Sequence, residues 1–225
     1  MSKYQADKKT TTIIEIDNWP RKEIYNFFKT YEIPYFSLCA NLDITEAYQY
    51  CKQKNISFSK IIVYLSTRIA NNIKEFRYRI KDNAIIEYNI VDPSFTILIT
   101  SETFNFCTVN YCEDTIEFIN RTETKIEELK NKNNLASEPV RDDLIYMTCI
   151  PWVSFTSIGH PVRLKNPDSI PRVAWGKYFK ENDRLKMPYN IQAHHAIIDG
   201  IHLGKFFESI QNYLSNPESI FIKHN

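Results

Sequence analysis

The stretch Gln192-Ala193-His194-His195-Ala196-Ile197-Ile198-Asp199-Gly200 gathers residue types suited to moving a proton. A neutral imidazole near pH 7 is the side chain best matched to take a proton from a hydroxyl or a thiol. Adjacent histidines followed four residues later by Asp-Gly form a rare string at average residue usage. In an extended strand His194 and His195 point to opposite faces, so at most one of them serves a given site. Asp199 is placed to fix the turn or the helix start, or to pair with a cation. Two plainer readings stand beside this one. Both histidines can be buried residues bonded to backbone, with Asp199 an ordinary cap before Gly200. A zinc site is weaker, because neighbouring His side chains diverge and no Glu follows in zincin spacing. The whole string at a strand–helix junction favours proton transfer.

The rest of the chain narrows the chemistry. Its four glycines (Gly159, Gly176, Gly200, Gly204) assemble neither a phosphate-cradling P-loop nor a dinucleotide fingerprint. The five cysteines (Cys39, Cys51, Cys107, Cys112, Cys149) are irregularly spaced without a Cys-x-x-Cys pair, and read as buried small hydrophobes in a reducing compartment. No metal site is expected. With 28 Lys plus Arg against 27 Asp plus Glu, the net charge of +1 supplies no field for nucleic acid or an anionic membrane. No apolar run reaches 18 residues, so no span is expected, and the polar start Met-Ser-Lys-Tyr-Gln-Ala-Asp-Lys-Lys predicts no cleaved export signal. A cytoplasmic protein is the expectation.

Around the motif, 225 residues without repeats, low-complexity tracts or linkers predict one continuous domain, 1–225. Asp17-Asn18-Trp19-Pro20 reads as a helix start, followed by Ile24, Phe27 and Phe28 on one face. Thr45 is expected to cap a second helix through Lys54, and a third begins near Ser59, with Ile61, Leu65, Ile69 and Ile73 every four residues. Ile80 and Ile85–Tyr88 flank Lys81-Asp82-Asn83 as a hairpin, and Phe95–Thr100 is a β-rich run. Glu113–Lys132, with Ile116, Ile119, Ile126 and Leu129, has the spacing of a surface helix. Beyond Pro139 strands are expected at Leu144–Cys149, Val153–Ser157, Val173–Phe179 and Leu185–His194, the last two joined by Glu181-Asn182-Asp183. A final helix after Gly200 turns Leu203, Phe206, Phe207, Ile210 and Leu214 inward. This order predicts an α+β fold with a large mixed β-sheet packed against helices in two layers.

The His-His-x-x-x-Asp-Gly string resembles the catalytic motif of the chloramphenicol acetyltransferases, shared more loosely with the acyltransferase domains of 2-oxo-acid dehydrogenase complexes. Further landmarks carry the resemblance over nearly the whole chain. They are Asn18-Trp19-x-Arg21-Lys22-Glu23, Asp43-Ile44-Thr45, Glu75-Phe76-Arg77 with Lys81-Asp82, and Glu102-Thr103-Phe104. Pro151-Trp152-Val153-Ser154-Phe155-Thr156-Ser157 and Gly176-Lys177-Tyr178 complete the set. The short length and the lack of a lipoyl-bearing segment argue against the dehydrogenase-complex branch.

The resemblance implies a coenzyme A-dependent acyltransferase-like fold in a homotrimer with active sites at the subunit interfaces. Acetyl-CoA, the co-substrate, and the acceptor enter one channel from opposite ends, and no metal or prosthetic group takes part. His195 matches the general base, and Asp199 and Arg21 match an ion pair that holds its loop. Thr148, four residues before Trp152, falls where the family carries a serine oxyanion donor; such a donor is worth roughly 3 kcal/mol of barrier. Threonine keeps the hydroxyl and restricts χ1. Phe27, Phe28, Tyr35, Phe36, Phe104 and Tyr178 match the acceptor pocket. A second departure is Ala174-Trp175, where the family usually has Thr-Met. Acetylation of a chloramphenicol hydroxyl is the activity implied; the departures raise a different hydroxyl or amine acceptor, or a weakly catalytic binding homologue, as alternatives.

Overall fold

Short apolar runs punctuated by Pro, Asn and Asp form ten strands and five α-helices among residues 9–130, 141–165 and 167–222, those that the computed structural model describes. In chain order these are β1 (Thr11–Ile14), α1 (Lys22–Phe28), β2 (Tyr35–Asp43), α2 (Thr45–Gln53) and α3 (Phe58–Asn72). Next come β3 (Tyr78–Lys81), β4 (Ala84–Tyr88), β5 (Asp92–Leu98), β6 (Phe104–Thr108) and α4 (Thr115–Lys130). The chain ends with β7 (Leu144–Ile150), β8 (Arg172–Gly176), β9 (Phe179–Glu181), β10 (Arg184–His194) and α5 (Gly200–Ser215). The fold is α+β. The large sheet runs β2-β10-β8-β7-β5-β6, with β9 also on β10, and it is mixed: β7 lies parallel to β5 and β8 while the other pairs are antiparallel. A small antiparallel sheet has the order β1-β4-β3.

Side chains at paired positions share a face and successive ones alternate, so each face of the large sheet can be read from the register. One face carries Cys107, Phe95, Met147, Val173 and Ile191, all buried, and α3 packs on β5 and β7. Helix α3 is buried all round from Ile61 to Ala70, as a central core helix must be. Its polar members are satisfied: Ser66 meets the Tyr189 hydroxyl at 2.7 Å and Arg68 donates to the Ile220 carbonyl at 3.1 Å. The opposite face carries Thr96, Thr148, Ala174 and Asn190 in one row and Tyr146, Arg172 and Gln192 in the next. It is the polar face.

Both expected turns form. Asp82 and Asn83, and Asn182 and Asp183, all have positive φ, as a two-residue hairpin with primed geometry requires. Other expectations need correction. A 3-10 turn spans Ile16–Asn18 and α1 starts only at Lys22, so Pro20 precedes the helix; its inward residue is Tyr25, while Ile24 and Phe27 are exposed. Thr45 is not the cap of α2: its hydroxyl donates to Asp43 Oδ1 at 2.7 Å and accepts the Leu185 N–H at 2.9 Å, pinning the end of β2 to β10. In α4, Phe118, Ile119 and Leu129 face inward and Ile116 does not; residues 131 and 132, like Pro139, lie outside the described residues. Cys51 and Cys107 are buried, but Cys39, Cys112 and Cys149 are only half-buried.

Val153–Ser157 forms no strand. Its one ladder-like bond runs from the Lys177 N–H to the Val153 carbonyl, 2.9 Å, where the segment crosses the end of β8. Gly176 permits that crossing, since a Cβ there would lie 2.7 Å from the Val153 oxygen and 2.9 Å from Phe155 and Pro188. The expected strand Val173–Phe179 is broken at the same point into β8 and β9. Strand β2, unforeseen, pairs with nine residues of β10 and so fixes where the motif emerges.

Candidate active site

The motif is presented where β10 runs out. His194 is the last residue of the β10–β2 ladder, opposite Tyr35, and the His195 N–H donates to the Pro34 carbonyl at 2.7 Å. The chain then turns back: the Ile197 and Ile198 N–H groups both reach the His194 carbonyl at 3.1 Å. Ala196, Ile197 and Ile198 are wholly buried, an apolar plug that anchors the turn between His195 and Asp199. Asp199 occupies the N-cap position of α5.

The two histidines part as strand alternation requires. His194 is 5% exposed, edge-on to Tyr35 at 5.4 Å, and burial pushes its pKa down to about 4. The His195 side chain is 31% exposed. Its ring lies between Phe28, near-parallel at 4.0 Å and 9°, and Phe36, tilted at 4.4 Å. Nδ1 of His195 is buried 3.1 Å from Asp199 Oδ1, off the line of a hydrogen bond, which leaves Nε2 as the nitrogen free to take a proton. Arg21, just before α1, donates through Nη1 to the other carboxylate oxygen, Oδ2. Burial alone would raise the Asp199 pKa; the Arg21 hydrogen bond and charge outweigh it and hold the carboxyl below its usual range.

The residues singled out from the sequence fall into three groups. His195, Asp199, Arg21, Phe28 and Phe36 meet directly, with Phe27 exposed beside Phe28 at 5.0 Å. Tyr35 adjoins them but serves His194, and its hydroxyl donates to the Asp168 carbonyl at 2.5 Å. Thr148 stands apart. Its hydroxyl is 2.9 Å from that of Thr96, and it pairs through Ala174 with Asn190, two strands away and five residues before His195. Sheet spacings then put the Thr148 and His195 backbones about 19 Å apart within one chain. Phe104 belongs to the Thr148 side, edge-on to Phe106, itself opposite Thr96. Tyr178 lies at the far end of β10, its hydroxyl 3.0 Å from that of Tyr48.

Four participants carried no recognised signal in the sequence. Tyr31 completes the aromatic fringe at 5.4 Å from both Phe27 and Phe28; its spacing of three and four from them was the available clue. Thr96 and Tyr48 are cross-element partners that local pattern cannot reveal. His202 accepts the Asp199 N–H on Nδ1 at 2.9 Å, and its place at the third residue of α5 was legible as the reciprocal position of a capping box. Among the described residues no group of three or more His, Cys, Asp or Glu is arranged to hold a metal ion, and no helix is long and apolar enough to cross a membrane.

Known proteins are similar to this chain over most of its length. The family described as Chloramphenicol acetyltransferase matches residues 9–211. A chloramphenicol acetyltransferase of Clostridium butyricum is 31% identical over 207 residues, covering 88% of this chain and 92% of its own. Chloramphenicol acetyltransferase 3 of Escherichia coli is 30% identical, covering 89% and 95%. A solved chloramphenicol acetyltransferase structure superposes with a TM-score of 0.81 at 28% identity, over 91% of this chain and 100% of its own. The cubic core of a pyruvate dehydrogenase complex, at 13% identity and a TM-score of 0.67, shares the fold. With the family matched from β1 into α5 around a half-exposed His195, this chain belongs to the chloramphenicol acetyltransferase family of acyltransferases.

Proposed function

We propose that the protein transfers an acetyl group from acetyl-CoA to a hydroxyl of chloramphenicol, with His195 as general base. The observation that carries this reading is the constraint on His195, whose backbone and ring faces are held and whose Nδ1 is buried beside Asp199, while Nε2 is left for chemistry. Nε2 takes the hydroxyl proton as that oxygen attacks the thioester carbonyl. The resulting tetrahedral oxyanion collapses, expelling the coenzyme A thiolate, which recovers the proton. No acyl-enzyme forms. Thr148 is the oxyanion donor in this scheme, and Asp199 with Arg21 holds the loop.

The separation between Thr148 and His195 supports an interfacial site: one chain's His195 works against another chain's Thr148, in a cytoplasmic homotrimer. The exposed Phe104 and Phe106 beside Thr148 fit the apolar wall of such a site. A different hydroxyl or amine acceptor is favoured by one observation, the Ala174 methyl adjoining Thr148 on the same face. Trp175, by contrast, points to the buried face and leaves that wall unchanged. Thiol release from acetyl-CoA decides between them. Turnover that requires chloramphenicol supports the first reading; turnover only with other acceptors replaces it with the second; tight binding without turnover on any acceptor rejects both.

A further inference from the structure

The Asp199 carboxylate faces Arg21 and His195, and its carbonyl accepts the His202 and Leu203 N–H groups at 3.0 and 3.1 Å. Its backbone N–H has a side-chain partner, donating to Nδ1 of His202 at 2.9 Å. An accepting Nδ1 carries a lone pair, so the neutral ring of His202 bears its proton on Nε2. That nitrogen faces Glu75 Oε1 at 3.5 Å. Both partners are largely enclosed, the side chains being 9% and 12% exposed. Glu75 sits on the 3-10 turn Lys74–Arg77, whose Phe76 is fully buried against Phe206 of α5 at 5.0 Å. The turn and the helix are therefore locked together, and Glu75 approaches His202 from a fixed base.

We infer that His202 is a positioning residue for the catalytic turn: Glu75 keeps the proton on its Nε2, so that its Nδ1 holds the Asp199 backbone and, through Asp199, the His195 ring. A doubly protonated His202 would aim an N–H at the Asp199 N–H and lose the bond. Burial, which outweighs the neighbouring Glu75 charge, lowers the His202 pKa and keeps the ring neutral. Moving the Asp199 backbone shifts both carboxylate oxygens, one of which lies 3.1 Å from His195 Nδ1. An ordinary helix cap needs only an acceptor of any kind. This arrangement further demands one tautomer, a carboxylate behind it, and an effect transmitted to His195.

The inference rests on His195 being the base, so its test includes a readout that survives the failure of that reading. Ring-nitrogen NMR of the full-length protein at neutral pH is expected to show the Nε2–H tautomer for His202. His202→Leu should shift and broaden the His195 ring signals, whereas His202→Asn, whose Oδ1 replaces the Nδ1 acceptor, should restore them. In kinetics, His202→Leu should lower kcat about 10-fold with KM nearly unchanged, and His202→Asn should recover most of that loss. Glu75→Leu should raise the Nδ1–H population of His202. An Nδ1–H tautomer in the unaltered protein overturns the inference, as do His195 signals untouched by His202→Leu. If the Leu variant does not fold, an Asn variant with displaced His195 signals overturns it equally. An inactive protein that shows the NMR pattern keeps the positioning and loses only the proposed reaction.

Discussion

The Phe28 ring stacks on the His195 ring at 4.0 Å and 9°, so a residue expected to line the acceptor pocket packs directly on the histidine. A stack of this kind is worth about 1 kcal/mol, small for stability but enough to limit rotation of a half-exposed ring. Phe28→Leu is therefore expected to lower kcat roughly 5- to 10-fold while the melting temperature changes little. Phe28→Tyr, which keeps the ring, should stay near the parent rate. Unchanged kcat in the leucine variant would show that Asp199 and Phe36 suffice.

The two histidines should separate cleanly in their responses. His195→Ala is expected to cost at least about 10²-fold in turnover with the fold intact, as loss of a general base does. His194, 5% exposed behind Tyr35, should instead cost stability when replaced by Ala. Thermal melts and steady-state rates on both variants check this. Equal activity losses at matched folding would overturn the assignment of roles.

Arg21 and Asp199 are 14% and 20% exposed, between a surface pair and a buried one. Removing either partner should cost about 1–3 kcal/mol together with activity, because the other charge is left partly desolvated. The double variant should be less destabilised than the two single losses added together. Additive losses in a double-mutant cycle, with normal kinetics for Arg21→Ala, would take the pair out of the catalytic turn.

The motif was legible because its strand, its turn and its helix are encoded locally. Alternation sends His194 inward, the Ala196-Ile197-Ile198 plug buries the turn, and Asp199-Gly200 starts α5. The helices with four-residue apolar spacing, α3 and α5, were equally readable. Strand β2 escaped because its residues alternate poorly in burial, and only its ladder with β10 makes it a strand. Val153–Ser157 misled for the opposite reason: its composition is β-rich, but the chain crosses Gly176 rather than pairing beside it. The separation of Thr148 from His195 is a property of strand order, which no local window contains.

Acid should destabilise the protein through its enclosed and partly enclosed histidines. His194 and His160 are both lowered to about 4, chiefly by burial, with Arg172 adding to the effect at His160. Below the unfolded value near 6.5 the unfolded chain binds protons that the folded one does not, so stability falls as pH drops toward about 4 and is level above about 7. His194 alone should remove roughly 2 kcal/mol between about pH 7.5 and about pH 5. Urea unfolding at those two pH values measures the loss. A slope that is the same in His194→Phe would exclude His194 as its source.

Thr148 carries the sharpest test of the proposed chemistry. Its hydroxyl is 2.9 Å from the Thr96 hydroxyl, and one of the two must donate to the other. If Thr148 gives its own proton to the oxyanion, it must accept from Thr96, so Thr96 sets the direction in which the donor points. Thr148→Val then removes the donor while nearly preserving shape, and kcat should fall by about 10²-fold with KM little changed, because the bond exists chiefly in the transition state. Thr148→Ser should retain or raise activity, since it keeps the hydroxyl and frees χ1. Thr96→Val should cost less than Thr148→Val, because it misdirects the donor without deleting it. If Thr148 and Thr96 only pair to satisfy each other in the sheet, both valine variants should be nearly silent in kcat and Thr148→Ser mildly destabilising. Steady-state kinetics on the three variants distinguish the two cases, and a fully active Thr148→Val enzyme moves the oxyanion role to a backbone N–H or a water.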